Sequence, residues 1–275
     1  MAIVTISCEM GSGGSEIGTQ LAERLGYRLA DQDVIAKAAQ QYGVLEERLT
    51  QLDERTPGLL ARFDGEVRQY LTVLQCAVLD VAEADDVVIM GRSAQILLRG
   101  ITHALRVFVR APLDVRVARV IQKLTVQMQE PVDARTAANL VRRSDQQKVG
   151  RMRYLFDVDW RDPKLYDLVL DTATITLDAG VDLLFAVAER PEFAASEASR
   201  RAVWDRALAA RVQVALAADP GIRKHRIAVE AHQGVITLEG TGGLEAGAQV
   251  ARTVSGVVAL TLRHLETPFI QPFMT

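Results

Sequence analysis

The sequence predicts an α/β fold, in which a P-loop parallel sheet is flanked by helices, followed by a small C-terminal α+β domain. Three observations predict it. Short apolar, β-branched runs alternate with helical segments over the first two thirds of the chain, which is typical of a parallel sheet with crossover helices. A glycine cluster separates the first such run from the first helix. Beyond about residue 190, the pattern changes to helix, two alternating strands, helix and strand.

Four runs in the first part have the composition of buried parallel strands. They are Ala2–Cys8, Asp86–Met90, Leu105–Val109 and Leu168–Leu170. Ile17, Leu21 and Leu25 recur at steps of four after the glycine cluster, as expected for one face of a helix. Further helices are expected over Glu46–Ala84 with a break at Pro57–Gly58, and over Asp114–Lys123, Asp133–Tyr154 and Asp178–Ala188.

The last third of the chain has its own pattern. Residues 190–203 are polar and alanine-rich, and they fit either a linker or the start of a helix. The expected elements after them are a helix over Ala207–Ala217, strands over Arg226–Glu230 and Val235–Glu239 with a turn at Gln233–Gly234, a helix over Leu244–Val254 and a strand over Val257–Leu265. The predicted divisions are a P-loop domain over 1–188, a linker over 189–204, a small domain over 205–267 and a tail over 268–275.

Composition narrows the class of protein. Of the 275 residues, 49% are hydrophobic and 24% are charged, as in a folded protein rather than a disordered one. The net charge is −3, so no global attraction to nucleic acid is expected. Two cysteines do not make a disulfide framework. The start has no basic region of a signal peptide, and no apolar run reaches about 18 residues, so a cytoplasmic protein is expected.

The glycine cluster lies where phosphate-binding loops lie. Glycines allow backbone amides to point at one anion, and the following helix N-terminus adds about half a positive charge. The predicted nucleotide-binding residues are Gly11, Ser12, Gly13, Gly14, Ser15 and Glu16. Against the template GxxxxGK[ST], Gly14 stands at the lysine, and Ser15 stands at the hydroxyl that binds Mg²⁺. A turn that only packs the helix against the strand is the alternative.

Four stretches, in order, resemble the cytidylate-kinase-like family. They are Ile6–Gly18, Asp31–Ile35, Val88–Leu97 and Asp159–Thr172. They are similar to that family's GSGG followed by Arg-Glu-Ile, its YD-x-E-L-I segment, its strand end containing Gly-Arg and its closing DW…YDLVLNT stretch. The resemblance covers about residues 1–188. It implies a nucleoside-monophosphate-kinase fold, with ATP and Mg²⁺ as cofactors and a nucleotide such as CMP as the phosphate acceptor.

The resemblance also implies roles for single residues. Arg92 would hold the acceptor phosphate, a task that suits a guanidinium fork, and a surface salt bridge is its alternative role. Asp31 would orient the acceptor nucleoside or a water on Mg²⁺, or else cap a helix entered at Val34.

A basic segment resembles the family's lid, whose arginines clamp the transferring phosphoryl group. The predicted catalytic residues are Arg92, Arg116, Arg119, Asp145 and Lys148. Asp145 and Lys148 are similar to the family's D-x-x-R pair. A solvated basic helix with salt bridges within it is the alternative for this segment.

The chain departs from the family pattern at the loop, because Ser15 stands in place of the usual arginine. With Gly14 at the lysine position, neither site in the loop carries a cation. Loss of such a charge weakens stabilisation of the transition state, whereas binding by amides can persist. The sequence therefore allows two functions: a kinase, or a catalytically degenerate nucleotide sensor that acts through the C-terminal domain.

The C-terminal domain resembles a BON module. The matching stretches are Val212–Leu216, Ile227–Val229, Gly234–Gly240 and Ser255–Val258. This resemblance implies binding to a phospholipid surface or to another macromolecule without catalysis, so that an envelope-associated role is a third hypothesis. The apolar tail over 268–275 is suited to docking on a partner, on the other domain or on a second copy in a homo-oligomer.

Overall fold

The computed structural model describes residues 2–40, 42 and 64–266. The elements of these residues follow in the order β1 (Ile3–Cys8), α1 (Gly14–Leu25), β2 (Arg28–Ala30), α2 (Gln32–Gln40), α3 (Asp64–Glu83), β3 (Val87–Met90), α4 (Ala94–Leu97), β4 (Ala104–Arg110), α5 (Leu113–Met128), α6 (Ala134–Phe156), β5 (Leu168–Asp171), α7 (Leu177–Ala188), α8 (Glu197–Ala218), β6 (Ile227–His232), β7 (Val235–Gly240), α9 (Leu244–Ala251) and β8 (Ala259–His264).

The described residues divide into two compact units. The first contains residues 2–32 and 85–195, and the second contains residues 33–40, 42, 64–84 and 196–266. The N-terminal sequence therefore contributes to both units, which the pattern of the chain did not suggest.

A five-stranded, wholly parallel sheet organises the first unit. Its strand order is β2-β3-β1-β4-β5, and β1 is the central strand because it pairs with both β3 and β4. Its apolar residues Val4 and Ile6 pack with Ile17 and Leu21 of α1 and with Leu184 of α7. The apolar stripe of α1 thus explains why this helix lies on the sheet. The predicted fold class is confirmed.

Local differences from the predicted elements have simple causes. The strand β2 has only three residues and begins with an arginine, so it lacks the apolar run from which a strand is predicted. The helix α5 continues to Met128, beyond the predicted end at Lys123, and turns at Gln129 with a left-handed φ of 57°. Residues 46–63 of the helical segment expected over Glu46–Ala84, including its break at Pro57–Gly58, lie outside the described residues, and α3 occupies most of the remainder.

The helices α5 and α6 form a hairpin with its own small core. Val120 of α5 packs with Ala137 and Val141 of α6. Met10, from the glycine-rich loop, packs against the same core. The basic segment of the sequence is therefore a helical hairpin in contact with the loop.

In the second unit, α3 packs along α8, and an ion-pair cluster joins them. Arg211 of α8 donates from Nε to Asp80 at 2.8 Å and also pairs with Glu83. The hydroxyl of Tyr42 bonds to the same Asp80 carboxylate. The long helix of the C-terminal sequence is thereby fastened to a helix from the N-terminal part of the chain.

The small sheet of the second unit has the order β6-β7-β8. The strands β6 and β7 form an antiparallel hairpin, whose turn residues Gln233 and Gly234 both have positive φ, as the predicted two-residue turn requires. The strand β8 lies parallel to β7, and α9 connects them. Ile236 and Leu238 of β7 pack against Leu208 and Val212 of α8.

The helix α8 begins ten residues before the predicted start at Ala207. The Ser196 hydroxyl caps it by accepting a hydrogen bond from the Ser199 amide, and the Ser199 hydroxyl accepts one from the Ser196 amide. Of the two alternatives for residues 190–203, the helix start is found from Glu197 onward. The predicted domain boundaries stay a prediction. Within the described residues, every helix lacks the combination of length and hydropathy needed to span a bilayer.

Candidate phosphate-binding site

The loop between β1 and α1 is a tight glycine turn. Gly11 has a φ of 80° and Gly13 a φ of 84°, in the left-handed region that favours glycine. A side chain at Gly11 would start 2.5 Å from the carbonyl oxygen of Arg116. The glycines therefore allow both the turn and the close approach of α5.

The main-chain amides of this loop are open. The Ser12 amide donates to the Glu9 carbonyl at 3.0 Å. Within the described part of the chain, the amides of Gly11, Gly13 and residues 14–16 donate to no protein acceptor. Gly13 caps α1 without a side-chain hydrogen bond, so the helix N-terminus is also open. Open amides at a helix N-terminus are suited to an oxyanion.

A lysine at the template position is sterically excluded. A side chain at Gly14 would overlap Cβ of Cys8, and its first carbon would be 3.1 Å from Sγ of Cys8. Cys8 stands where the template has glycine, so the two departures from the template belong together. Burial raises the pKa of the Cys8 thiol, and the positive charge of Lys148 opposes that rise. The thiol is therefore neutral at physiological pH.

Cations reach the loop from the α5–α6 hairpin instead, and they bond to carbonyl oxygens. Lys148 donates from Nζ to the Cys8 carbonyl at 2.7 Å. Arg119 donates to the Ser12 carbonyl at 3.1 Å. Arg116 lies 3.5 Å from the carbonyl of Met10. Three alternate carbonyls of the loop thus face positive side chains.

Arg116 is the most deeply buried member of a neutral four-residue cluster. Its side chain is 6% exposed and bonds to both carboxylate oxygens of Asp145, at 3.0 and 3.1 Å. Glu9 lies 3.5 Å from Arg116, and Arg161 bonds to Asp145 at 3.0 Å. The Glu9 carboxylate also accepts from the Ala111 amide. Two guanidinium groups and two carboxylates therefore compensate one another.

Lys148 and Arg119 differ from Arg116 because their positive charges have no carboxylate partner within the described ranges. Among the residues that the structure describes, no carboxylate lies within ion-pair distance of either side chain. Lys148 lies over the ring of Trp160, with 5.4 Å from Nζ to the centroid. Asp145, the other member of the motif that resembles the family's D-x-x-R pair, bonds instead to two arginines, Arg116 and Arg161. The loop thus has two nearby positive charges that no carboxylate of the described residues neutralises by an ion pair.

Asp31 and Arg92 lie at the same edge of the sheet as the loop. Asp31 follows β2 and Arg92 follows β3, and these strands are parallel neighbours in which Ala30 pairs with Ile89. Arg92 has a left-handed φ of 57° after Gly91, whose amide bonds to the Ile6 carbonyl. The helix after Asp31 begins at Gln32, two residues earlier than the Val34 of the sequence prediction. Ligands of open parallel sheets bind at this carboxyl edge.

Comparison with known proteins decides the family. Residues 3–174 match the model of the cytidylate kinase-like family. The chain belongs to that family. Similar relatives include the cytidylate kinase of Methanopyrus kandleri, 26% identical over 67% of this chain and 91% of the relative, and that of Natronomonas pharaonis, 28% identical over 64% and 83%.

A crystal structure of an uncharacterized protein from Eubacterium ventriosum has a similar fold. Its TM-score is 0.54 at 19% sequence identity, and the match covers 69% of this chain and all of that one. Because the identity is low, this likeness concerns the fold alone. Family membership and the geometry of the loop therefore have to be considered together.

In this cytidylate kinase-like chain, Ser15 is the loop residue for which the sequence predicts a contact with Mg²⁺. It is exposed on the first turn of α1, and its hydroxyl interacts with the Cys8 thiol. Glu16 is exposed beside it, 4.0 Å from Lys123. The described residues hold no group of three or more histidine, cysteine or acidic side chains that would cage a metal. One hydroxyl nevertheless fits Mg²⁺, which usually takes most of its ligands from phosphates and water.

Thr172 is a contact residue of the loop to which sequence reasoning gave no role. It follows β5 in the closing motif, and its hydroxyl lies 2.6 Å from the Ser12 carbonyl. Its position at a strand end was visible in the sequence. The loop as its partner was not, because 160 residues separate them.

Proposed function

We propose that this protein transfers the γ-phosphate of ATP to a nucleoside monophosphate, with CMP as the model acceptor. The observation that carries the proposal is the row of open amides at residues 11 and 13–16, beside two cations without a carboxylate partner. Family membership supports the reaction class, because two relatives that the match covers over 91% and 83% of their length are named cytidylate kinases.

The chain's own groups divide the work of binding. The open amides and the α1 N-terminus hold the donor phosphates. Lys148 supplies positive charge at the Cys8 end of the loop, in place of the lysine that cannot fit at Gly14. Bound Mg²⁺ would supply further charge neutralisation between the phosphates, with the hydroxyl of Ser15 among its ligands.

The acceptor is held at the neighbouring strand ends. Arg92 offers a guanidinium fork to the acceptor phosphate, and Asp31 orients the nucleoside or a water on Mg²⁺. Both lie at the carboxyl edge that the loop occupies, so donor and acceptor would meet there.

A nucleotide sensor without catalysis is the second candidate, and one observation favours it. No cation lies within the loop itself, and the nearby ones bond to backbone carbonyls. Binding needs the amides alone, whereas transfer needs charge on the moving phosphoryl group. In this candidate, the second unit transmits the nucleotide state.

Measuring ADP formation distinguishes the kinase from the nucleotide sensor. The full chain is incubated with MgATP and a panel of nucleoside monophosphates, and we expect turnover that depends on CMP. Arg92→Ala should abolish it, whereas Arg99→Ala, which alters an exposed arginine on the same segment, should retain it. Tight ADP binding without turnover for any acceptor would favour the sensor and reject the kinase.

The C-terminal domain is proposed to be a BON-like binding module for a phospholipid surface or a protein. Val258 is 81% exposed and packs beside Gly234 at one end of the small sheet, next to the half-exposed Val235. Pelleting of the full chain with phosphatidylglycerol vesicles tests the lipid partner, and Val258→Asp should abolish it. Absence of pelleting would reject lipid binding. Sedimentation analysis would then test for protein partners, including a second copy of the chain.

A further inference from the structure

We propose that Thr172 and Arg119 are positioning residues, which hold the Ser12–Gly13 peptide so that the Gly13 amide faces the bound phosphate. The inference rests on the proposed function, since it concerns the same loop. It gives Thr172 a role and changes the role of Arg119 from a clamp on the substrate to a support of the protein backbone.

The contacts form a closed arrangement around one peptide group. Arg119 donates from Nη1 to the Thr172 hydroxyl at 2.8 Å and to the Ser12 carbonyl at 3.1 Å. Its Nη2 donates to the Thr172 carbonyl at 2.9 Å. Thr172 is 3% exposed, and its own amide donates to the Arg110 carbonyl, which fixes it to the sheet.

The position of the hydroxyl proton follows from these distances. A threonine hydroxyl has one proton, and here its oxygen already accepts from Arg119. Two carbonyl oxygens lie within reach of the proton, that of Ser12 at 2.6 Å and that of Arg110 at 3.4 Å, and the shorter contact directs it to Ser12. Ser12 thus accepts two hydrogen bonds from outside the loop, one of them from a charged group.

The amide of Gly13 must then point the other way. The described chain contains no cis peptide bond, and in a trans peptide the carbonyl and the following amide point in opposite directions. With the Ser12 oxygen held toward Thr172 and Arg119, the Gly13 amide faces away from them. No acceptor in the described residues takes that amide, so it joins the open row at the start of α1.

Glycine at position 13 makes such support necessary. Gly13 has a φ of 84°, and a glycine can change its backbone angles more easily than any other residue. A peptide flip would turn the Ser12 carbonyl toward the phosphate and replace a donor by a negative dipole. The hydrogen bonds that the Ser12 carbonyl accepts from Thr172 and Arg119 oppose that flip. Removing them should therefore weaken phosphate binding, although neither side chain needs to touch the phosphate.

Binding of ADP and of inorganic pyrophosphate to the full chain, measured by calorimetry, tests the inference. Thr172→Val removes the hydroxyl at nearly constant volume, and both ligands should bind about tenfold more weakly. Thr172→Ser keeps the hydroxyl and should restore binding to within about twofold of the parent. Equal losses for the two ligands are expected, because the affected group touches phosphate and not the base.

Two further variants keep the test decisive. Tyr27→Phe removes the hydroxyl that accepts from the Ala2 amide at 3.0 Å, beside the amino end of β1 and so away from the loop, and shows what destabilisation alone does to binding. Arg119→Lys retains the charge but cannot reach both carbonyls as a fork, so it should weaken binding as Thr172→Val does.

Parent-like binding by both Thr172→Val and Arg119→Lys would overturn the positioning role while leaving the proposed function intact. Equal weakening by Tyr27→Phe and Thr172→Val would overturn the role as well. A parent protein that binds neither ligand would overturn the proposed function together with the inference.

Discussion

Replacing Asp145 by alanine probes the charged cluster beside the loop. Asp145 bonds to Arg116 at 3.0 and 3.1 Å and to Arg161 at 3.0 Å, and its side chain is almost buried. The replacement would leave the Arg116 guanidinium, which is 6% exposed, with Glu9 at 3.5 Å as its remaining ionic partner. We therefore expect a large loss of stability in the first unit.

The magnitude follows from burial. Removal of one partner of a buried ion pair costs about 3–5 kcal/mol, because the other charge stays desolvated. The remaining Glu9 contact lowers that figure, so we expect the free energy of unfolding to fall by about 3 kcal/mol. Arg161 is 41% exposed, and Arg161→Ala should cost less than about 1 kcal/mol. The contrast between the two variants is the prediction.

Urea unfolding followed by tryptophan fluorescence measures both values. The chain has two tryptophans, and Trp160 packs beside the cluster, whereas Trp204 belongs to the core of the second unit. Introducing Trp204→Phe into every protein makes Trp160 the reporter of the first unit. A loss below about 1 kcal/mol for Asp145→Ala, or equal losses for both variants, would refute the structural role of the cluster.

Two other predictions concern the charge of Lys148 and the thiol of Cys76. Lys148→Met should lower turnover by at least about tenfold and Lys148→Arg should retain most of it, since charge at the loop is what the side chain supplies; equal activity of both in steady-state assays would contradict this. Burial raises the pKa of Cys76 from 9.0 to about 12, so below about pH 9 the unfolded and folded thiols are both neutral and above it only the unfolded one ionises. The thermal stability of the parent should therefore fall between about pH 9 and 12, and the stability of Cys76→Ala should fall less steeply over the same range. If the stabilities of both proteins fall with the same slope, the Cys76 thiol is not the cause.

The pattern of the chain was sufficient for the local elements of the first unit. The continuous β-branched run of β1, the glycine cluster after it and the four-residue apolar spacing of α1 are all patterns of neighbouring residues. The turn at Gln233–Gly234 was predictable for the same reason, because its backbone angles depend on neighbouring residues. The ordered stretches from the loop to the closing motif likewise indicated the family that the match over residues 3–174 establishes.

Other features depend on residues far apart in the chain. The fastening of α3 to α8 relies on Arg211 and Asp80, and no periodicity links those positions. The start of α8 at Glu197 is different, because it depends on a local cap at Ser196 that the polar, alanine-rich composition of residues 190–203 did not single out.

The amino-acid order by itself determined that a glycine turn joins a buried strand to an amphipathic helix, and that neither Gly14 nor Ser15 carries a charge there. Only the tertiary structure decided which cations lie beside the loop, and that they meet carbonyl oxygens. The physical reason is distance along the chain: Lys148 reaches Cys8 across 140 residues, and Thr172 reaches Ser12 across 160. Local propensity contains no information about such partners, because folding of the whole sheet brings them together.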